Sequence, residues 1–224
     1  MDKNVKKKKI LILGGSGGVG QWLTQLANEQ QYQVTVLLRS TSQYQPPQGV
    51  HIIRGNVLDS QVIDNAVQGQ DAIISTIGIM RSQANNPWSK LISPVDLNSS
   101  LSNSLVTAMK KHNIERIIAI SAAGVAESEA SMSLAMKLLV KLSNIRKTFS
   151  DFANMETTFS QSGLDTLCVR PVGLVDNQAQ RLSSIVDKFQ LSSQISKKDV
   201  ALWMLNAVER PAKFSHPTEM IGWR

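Results

Sequence analysis

Four consecutive apolar residues, Ile10 to Leu13, run directly into Gly14-Gly15-Ser16-Gly17-Gly18-Val19-Gly20. No other stretch of the chain limits its fold so closely. The apolar run reads as a short strand buried on both faces, as in a parallel sheet. Glycine then falls where such a strand turns into a helix. There the chain needs positive φ, its N–H groups must approach a pyrophosphate with no Cβ in the way, and the helix must pack close to the strand. Both Gly15-x-Gly17-x-x-Gly20 and Gly14-x-x-Gly17-x-x-Gly20 are present, and Val19, Trp22, Leu23, Leu26 and Ala27 follow at amphipathic helix spacing. That context separates a dinucleotide fingerprint from an ordinary glycine-rich turn. Residues Gly14, Gly15, Ser16, Gly17, Gly18, Val19 and Gly20 are therefore expected to hold the pyrophosphate on a helix N-terminus.

The 224 residues are 42% hydrophobic and 18% charged, with no apolar run near the roughly 18 residues that span a membrane. Residues 1–9 form a basic start with no apolar segment of signal-peptide length behind it, so we expect a solvated tail ahead of one domain over 10–224. A cytoplasmic location follows from that reading, and the lone Cys168, in an apolar run, agrees with a reducing compartment and a buried core role. The formal charge of +7 and pI near 9.6 raise the question of nucleic acid. Part of that charge is the terminal Lys6 to Lys9 run, and aromatics at 5% are too sparse for a base-stacking platform. A phosphorylated cofactor accounts for a positive cleft equally well. No nucleic-acid partner, transmembrane segment or metal site is expected.

A second strand, Gln33 to Leu38, ends in Arg39-Ser40-Thr41-Ser42. Sites that prefer NAD place an acidic residue here for the ribose 2′-hydroxyl. Arg39, with Ser40 beside it, would instead attract the 2′-phosphate of NADP(H). After a third strand, Val50 to Ile53, Asn56 and Val57 fall beside the adenine position, and Asp59 or Ser60 caps a helix carrying Val62, Ile63, Ala66 and Val67. A fourth strand, Asp71 to Thr76, leads to Ile77 and Gly78, so Thr76, Ile77 and Gly78 are expected beneath the cofactor. Residues 79–95 form a longer connection of the kind that lines substrate sites. A helix from Val95 to His112 puts His112 at its C-terminus, and a fifth strand from Arg116 to Ile120 ends at Ser121. Met132 to Leu142 interleaves lysines with apolar residues; a core-facing helix with snorkelling lysines and a membrane- or partner-facing helix both fit. A helix through Phe159, a strand from Thr166 to Arg170, Pro171 and Val172, a helix starting near Asp199 and a last strand near Met220 complete the chain. Strands alternating with helices imply an α/β fold, doubly wound around a mostly parallel sheet with helices on both faces. The small C-terminal part would lie on the substrate side.

Gly14 to Gly20, Arg39, Gly55-Asn56-Val57-Leu58-Asp59, Ile120-Ser121 and Glu156 through Ser162-Gly163-Leu164 to Val169-Arg170-Pro171 together resemble the atypical short-chain dehydrogenase/reductase superfamily. Within it the chain is most similar to the NAD(P)H-binding group of NmrA-like and biliverdin reductase B/flavin reductase-like proteins. The resemblance implies a Rossmann fold with Pro171 and Val172 near the nicotinamide. Ordinary members carry a Tyr-x-x-x-Lys pair that protonates the substrate. Here the only tyrosines are Tyr32 and Tyr44, and the pair's positions hold Thr148 and Phe152. Ser121 alone remains as a catalytic candidate, able to hydrogen-bond the nicotinamide amide or a substrate oxygen.

Two functions are compatible with these residues. One is an NADPH-dependent reductase of a planar, apolar small molecule that needs little acid from the protein, such as a flavin, quinone or conjugated ring system. The other is a non-catalytic NADP(H) sensor or assembly factor with a protein partner, as the NmrA resemblance implies.

Overall fold

The computed structural model describes residues 7–176 and 181–224, so residues 1–6 of the expected basic tail lie outside it. β1 (Lys9–Leu13) sits inside the sheet, parallel to β2 (Gln33–Leu38) on one side and β4 (Ala72–Ser75) on the other. Its alternate residues serve opposite layers. Ile10 and Ile12 pack with one core, Leu11 and Leu13 with the other, and all four are fully buried. An uninterrupted apolar run is what a strand covered on both faces requires.

The full order is β3-β2-β1-β4-β5-β6-β10-β8, with β3 at His51–Arg54, β5 at Arg116–Ile120, β6 at Asp165–Pro171, β8 at Ser183–Ile185 and β10 at Thr218–Trp223. Among the described strands only the β10–β8 pair is antiparallel. The chain winds outward from β1 to β3, then returns to start β4 on the other side of β1. A crevice opens at that reversal, outside the carboxyl ends of the strands.

Helices α1 (Gly18–Glu29), α4 (Leu134–Leu142) and α6 (Lys197–Val208) bury residues in the first core. The second core lies under α2 (Ser60–Val67), α3 (Leu97–Lys111) and α5 (Ile145–Ser160). Side-chain caps fix several starts. Asp59 accepts from Gln61 N at 2.9 Å at the head of α2, and Ser196 accepts from Asp199 N at 3.0 Å at the head of α6. Buried Asp151 of α5 caps a neighbour instead. Its carboxylate accepts from Asn98 N, Asn98 Nδ2 and Ser99 N at 2.8 to 2.9 Å, which satisfies the first turn of α3 and ties the two helices together.

The basic start is shorter as a tail than the sequence suggests. Lys9 already belongs to β1, and Lys8 Nζ pairs with Glu209 at 2.8 Å. Residues 132–142 also depart from a purely core-facing helix. Only Met136 and Val140 of α4 are buried, while Leu134, Leu138 and Leu142 stand 84, 57 and 63% exposed. Two short strands, β7 (Gly173–Val175) and β9 (Gln194–Ser196), form a separate parallel ladder beyond the end of β6. Among the described residues no helix is long and apolar enough to cross a membrane.

Candidate functional site

The glycine turn is built from contacts a side chain would destroy. Gly14 has φ +82°, and a Cβ on it would lie 2.8 Å from Thr76 Oγ1. A Cβ on Gly20 would come within 2.1 Å of the Gly14 carbonyl oxygen, so helix and turn are in backbone contact. Gly17 differs. Its N–H donates to Gly14 O at 2.9 Å, it occupies the N-cap of α1 with no side-chain cap, and a Cβ there would meet nothing closer than Gly14 O at 3.3 Å. The N–H groups of Gly18, Val19 and Gly20 have no hydrogen-bond partner among the described residues.

Lys197 brings a cation to the same point. A Cβ built on Gly18 would lie 2.7 Å from Lys197 Cδ, so a cationic side chain rests on the positive end of α1. The Lys197 ammonium bonds Asp176 at 2.5 Å, a carboxylate 83% exposed. The donor set suits a dinucleotide pyrophosphate.

Two cavities meet over Gly17. One, about 430 Å³, is lined by Gly14, Ser16, Arg39, Asn56, Val57, Thr76, Ile77 and Gly78. The other, about 460 Å³, is lined by Gly18, Val19, Ser121, Pro171 and Val172, and shares Gly17, Thr76 and Gly78 with the first. These fourteen expected residues come together. Gly15, Gly20 and Ser40 line neither. Gly15 packs toward Val36, Gly20 against the Gly14 carbonyl, and Ser40 is exposed beside the turn. A larger cavity of about 740 Å³, around Tyr32 and Gln70, lies at the opposite strand ends and contains none of the expected residues.

At the first cavity Arg39 is exposed at the end of β2 and its carbonyl accepts from Ser42 N at 2.9 Å. Arg54, the last residue of β3, donates to Ser42 O at 3.1 Å and brings a second positive charge to the same turn. Asn56 Oδ1 accepts from Leu58 N at 3.0 Å, which fixes the chain that leads to the α2 cap.

The second cavity is walled by elements far apart in sequence. Ile79 and Arg81 enter from the connection after β4, Met136 and Val140 from α4, Thr148 and Phe152 from α5, and Phe189 from the segment before β9. Residues 79–95 are not a slack loop. Arg81 pairs with Leu91 in an antiparallel bridge, Ile92 N donates to Met80 O at 2.9 Å, and Asn144 Nδ2 donates to the Trp88 carbonyl at 2.9 Å. Ser121 is 4% exposed, and its Oγ has no hydrogen-bond partner among the described residues. Arg81, Lys197, Phe149 and Phe189 are lining residues that sequence reasoning passed over. Arg81 fell in the connection expected to line a substrate site and Phe149 in an expected helix, but nothing in the sequence singled out these four, since cations and aromatics are common on any surface.

The remaining titratable candidates are structural. Cys168 is buried in β6, where desolvation and then nearby Glu156 push its thiol well above the usual range, so it stays protonated. His112 ends α3 and bonds Asp64 at 3.0 Å. No group of His, Cys, Asp and Glu among the described residues has the arrangement of a metal centre.

A doubly wound parallel sheet with a glycine-rich turn, an uncapped helix start and a crevice at its switch point defines a Rossmann-type dinucleotide-binding fold. Residues 14–211 match the NAD(P)H-binding family model, and the chain belongs to that family. Among solved structures it is similar to a short-chain dehydrogenase/reductase from Veillonella parvula in complex with NADP, at 18% identity and TM-score 0.76, covering 96% of this chain and 94% of that one. It is also similar to ChuY, an anaerobilin reductase from Escherichia coli O157:H7, at 21% identity and TM-score 0.74, covering 95 and 96%. At those identities the likeness is one of fold. Eugenol synthase 2 from Clarkia breweri is 28% identical over 85 residues, 34% of this chain. That match spans 28% of the relative's own length.

Proposed function

We propose that the protein is an NADPH-dependent reductase of a planar, apolar acceptor such as a flavin, a quinone or a conjugated ring system. One observation carries this reading: the segments after β4 and in α4 leave an open apolar cavity beside Ser121, continuous with the glycine turn, instead of filling it. The Veillonella relative's complex with NADP and the reductase activity in ChuY's name point the same way.

In this reading the free N–H groups of α1 and the Lys197 ammonium hold the pyrophosphate, and Arg39 holds the 2′-phosphate. The bound nicotinamide supplies hydride. Met136, Val140, Phe149 and Phe152 exclude water and keep a flat acceptor against it, so proximity provides most of the rate. Ser121 Oγ hydrogen-bonds the reacting oxygen or the nicotinamide amide. Thr148 and Phe152, standing where a tyrosine and lysine act in ordinary relatives, supply no acid, so simple ketones are expected to be poor substrates.

The test is NADPH oxidation against a panel of flavins, quinones and linear tetrapyrroles, with Gly17→Val and Ser121→Ala as controls. Turnover that disappears in Gly17→Val supports the reductase; tight NADPH binding with no oxidation across the panel removes it. A second reading, a cofactor sensor that docks a protein, is favoured by the exposed leucines of α4. Recovery of a partner by only the cofactor-loaded or only the empty protein would support it.

A further inference from the structure

Four buried side-chain polar atoms lack a hydrogen-bond partner among the described residues: Ser121 Oγ, Thr148 Oγ1, Arg81 Nε and Gln70 Oε1. The first three belong to residues lining the same 460 Å³ cavity, and Gln70 lies at the opposite strand ends. Ser121 and Thr148 are 4 and 8% exposed. Orphaned groups gathered at one place call for a ligand.

The chemistry of the three restricts that ligand. Arg81 only donates and keeps its charge at every accessible pH, whereas the two hydroxyls can donate or accept. Among the described residues no carboxylate lines the cavity to neutralise Arg81. Its Nη2 donates to the Ala84 carbonyl at 3.0 Å, and its backbone is held by the bridge to Leu91. That bond and the bridge restrain the side chain, which lowers the ordering cost of binding. Unpartnered donors and a positive charge lining one cavity complement an oxyanion, and the aliphatic and aromatic remainder of the wall complements a flat apolar body.

We infer that the acceptor bound beside Ser121 is a planar acid, its carboxylate recognised by Arg81 with Thr148 as a neutral donor. Arg81 is a specificity-determining residue in this assignment. The inference rests on the reductase reading only in placing that acceptor in this cavity.

The experiment is calorimetric titration of the full chain, saturated with NADP+, with anthraquinone-2-carboxylate and its neutral isostere anthraquinone-2-carboxamide. The acid is expected to bind about 10- to 100-fold tighter than the amide. In Arg81→Met the acid should fall to the level of the amide, with affinity for the amide and for NADP+ unchanged. Thr148→Val should lower acid affinity by a smaller factor. Equal affinities for the two probes in the unaltered protein, or binding of neither, overturn the inference without recourse to a variant. So does a preference that survives Arg81→Met, or an Arg81→Met loss that appears in NADP+ affinity instead. The two readings fail separately. Acid selectivity with no NADPH oxidation by any acceptor would remove the reductase and keep the anion site, and oxidation by quinones with no acid selectivity would do the reverse.

Discussion

Arg170 of β6 donates through Nε to Glu156 Oε1 of α5 at 2.9 Å, and both side chains are buried. Its Nη1 reaches outward to Glu127 at 2.5 Å. One guanidinium thus ties the sheet, α5 and the 3₁₀ turn at Ala126–Ser131, immediately below the strand end that carries Pro171 and Val172.

Removing the inner carboxylate leaves a buried arginine with only its exposed partner. Glu156→Ala is expected to cost about 3 kcal/mol or more, since breaking a buried pair is far more damaging than never having had one. Glu156→Gln, which keeps hydrogen-bonding capacity, should lose less. Urea denaturation midpoints at neutral pH measure both.

The outer carboxylate sets a pH response. The hydrogen bond from Arg170 holds Glu127 below the usual glutamate range, against a smaller opposing effect of burial. A lowered folded-state value gives stability that is present above the ordinary glutamate pKa and lost as pH falls through the lowered one. Unaltered protein and Glu127→Gln should therefore differ most near neutrality and converge on acidification. Glu127 is 70% exposed and solvent screens the pair, so the gap will be small; denaturation midpoints across an acid pH series would show it.

The glycines of the turn should separate folding from binding. Gly20→Ala places a Cβ 2.1 Å from backbone and should unfold or severely destabilise the protein. Gly17→Ala meets only Gly14 O at 3.3 Å, so it should fold and yet weaken cofactor binding, and Gly17→Val should abolish that binding. Circular dichroism melts beside cofactor titrations distinguish the two positions. Equal loss of folding at both would mean that Gly17 serves the turn alone.

Arg39 should decide between the two dinucleotides. A charge-assisted contact to the 2′-phosphate is worth about 1.5–3 kcal/mol, so NADPH is expected to bind at least tenfold tighter than NADH, and Arg39→Ala should remove that preference. Fluorescence titration of both reduced cofactors gives the answer, and Arg54→Ala should show a weaker loss of the same sign because Arg54 borders the same turn.

The strands and helices that shape the crevice were legible because their signals are local. Apolar runs such as Ile10 to Leu13 declare a doubly covered sheet, and Asp59 caps α2 as its position suggests. The short β7, β8 and β9 escaped because three-residue strands carry no usable periodicity. Met132 to Leu142 left two readings open for another reason. Its composition suits a buried helix, but which leucines face inward depends on where α5 lies, a contact that sequence spacing does not encode. Residues 79–95 read as a substrate-lining connection, but the place of Arg81 in the cavity follows from a bridge to Leu91 and from Asn144 holding the Trp88 carbonyl, which spacing does not encode.

That ribbon from Ile79 to Ser93 is a party wall. Met80 and Ile92 face the Arg39 cavity while Ile79 and Arg81 face the Ser121 cavity, and the strip between them is pinned at both base and tip. Cofactor and acceptor would press on the same short length of chain from its two sides. Whichever arrives first stiffens it, and the second then has less motion left to quench. Amide exchange across residues 79–93 should slow when the Arg39 cavity alone is filled, and the thermodynamic reciprocity of coupled sites requires each ligand to raise the affinity for the other by the same factor.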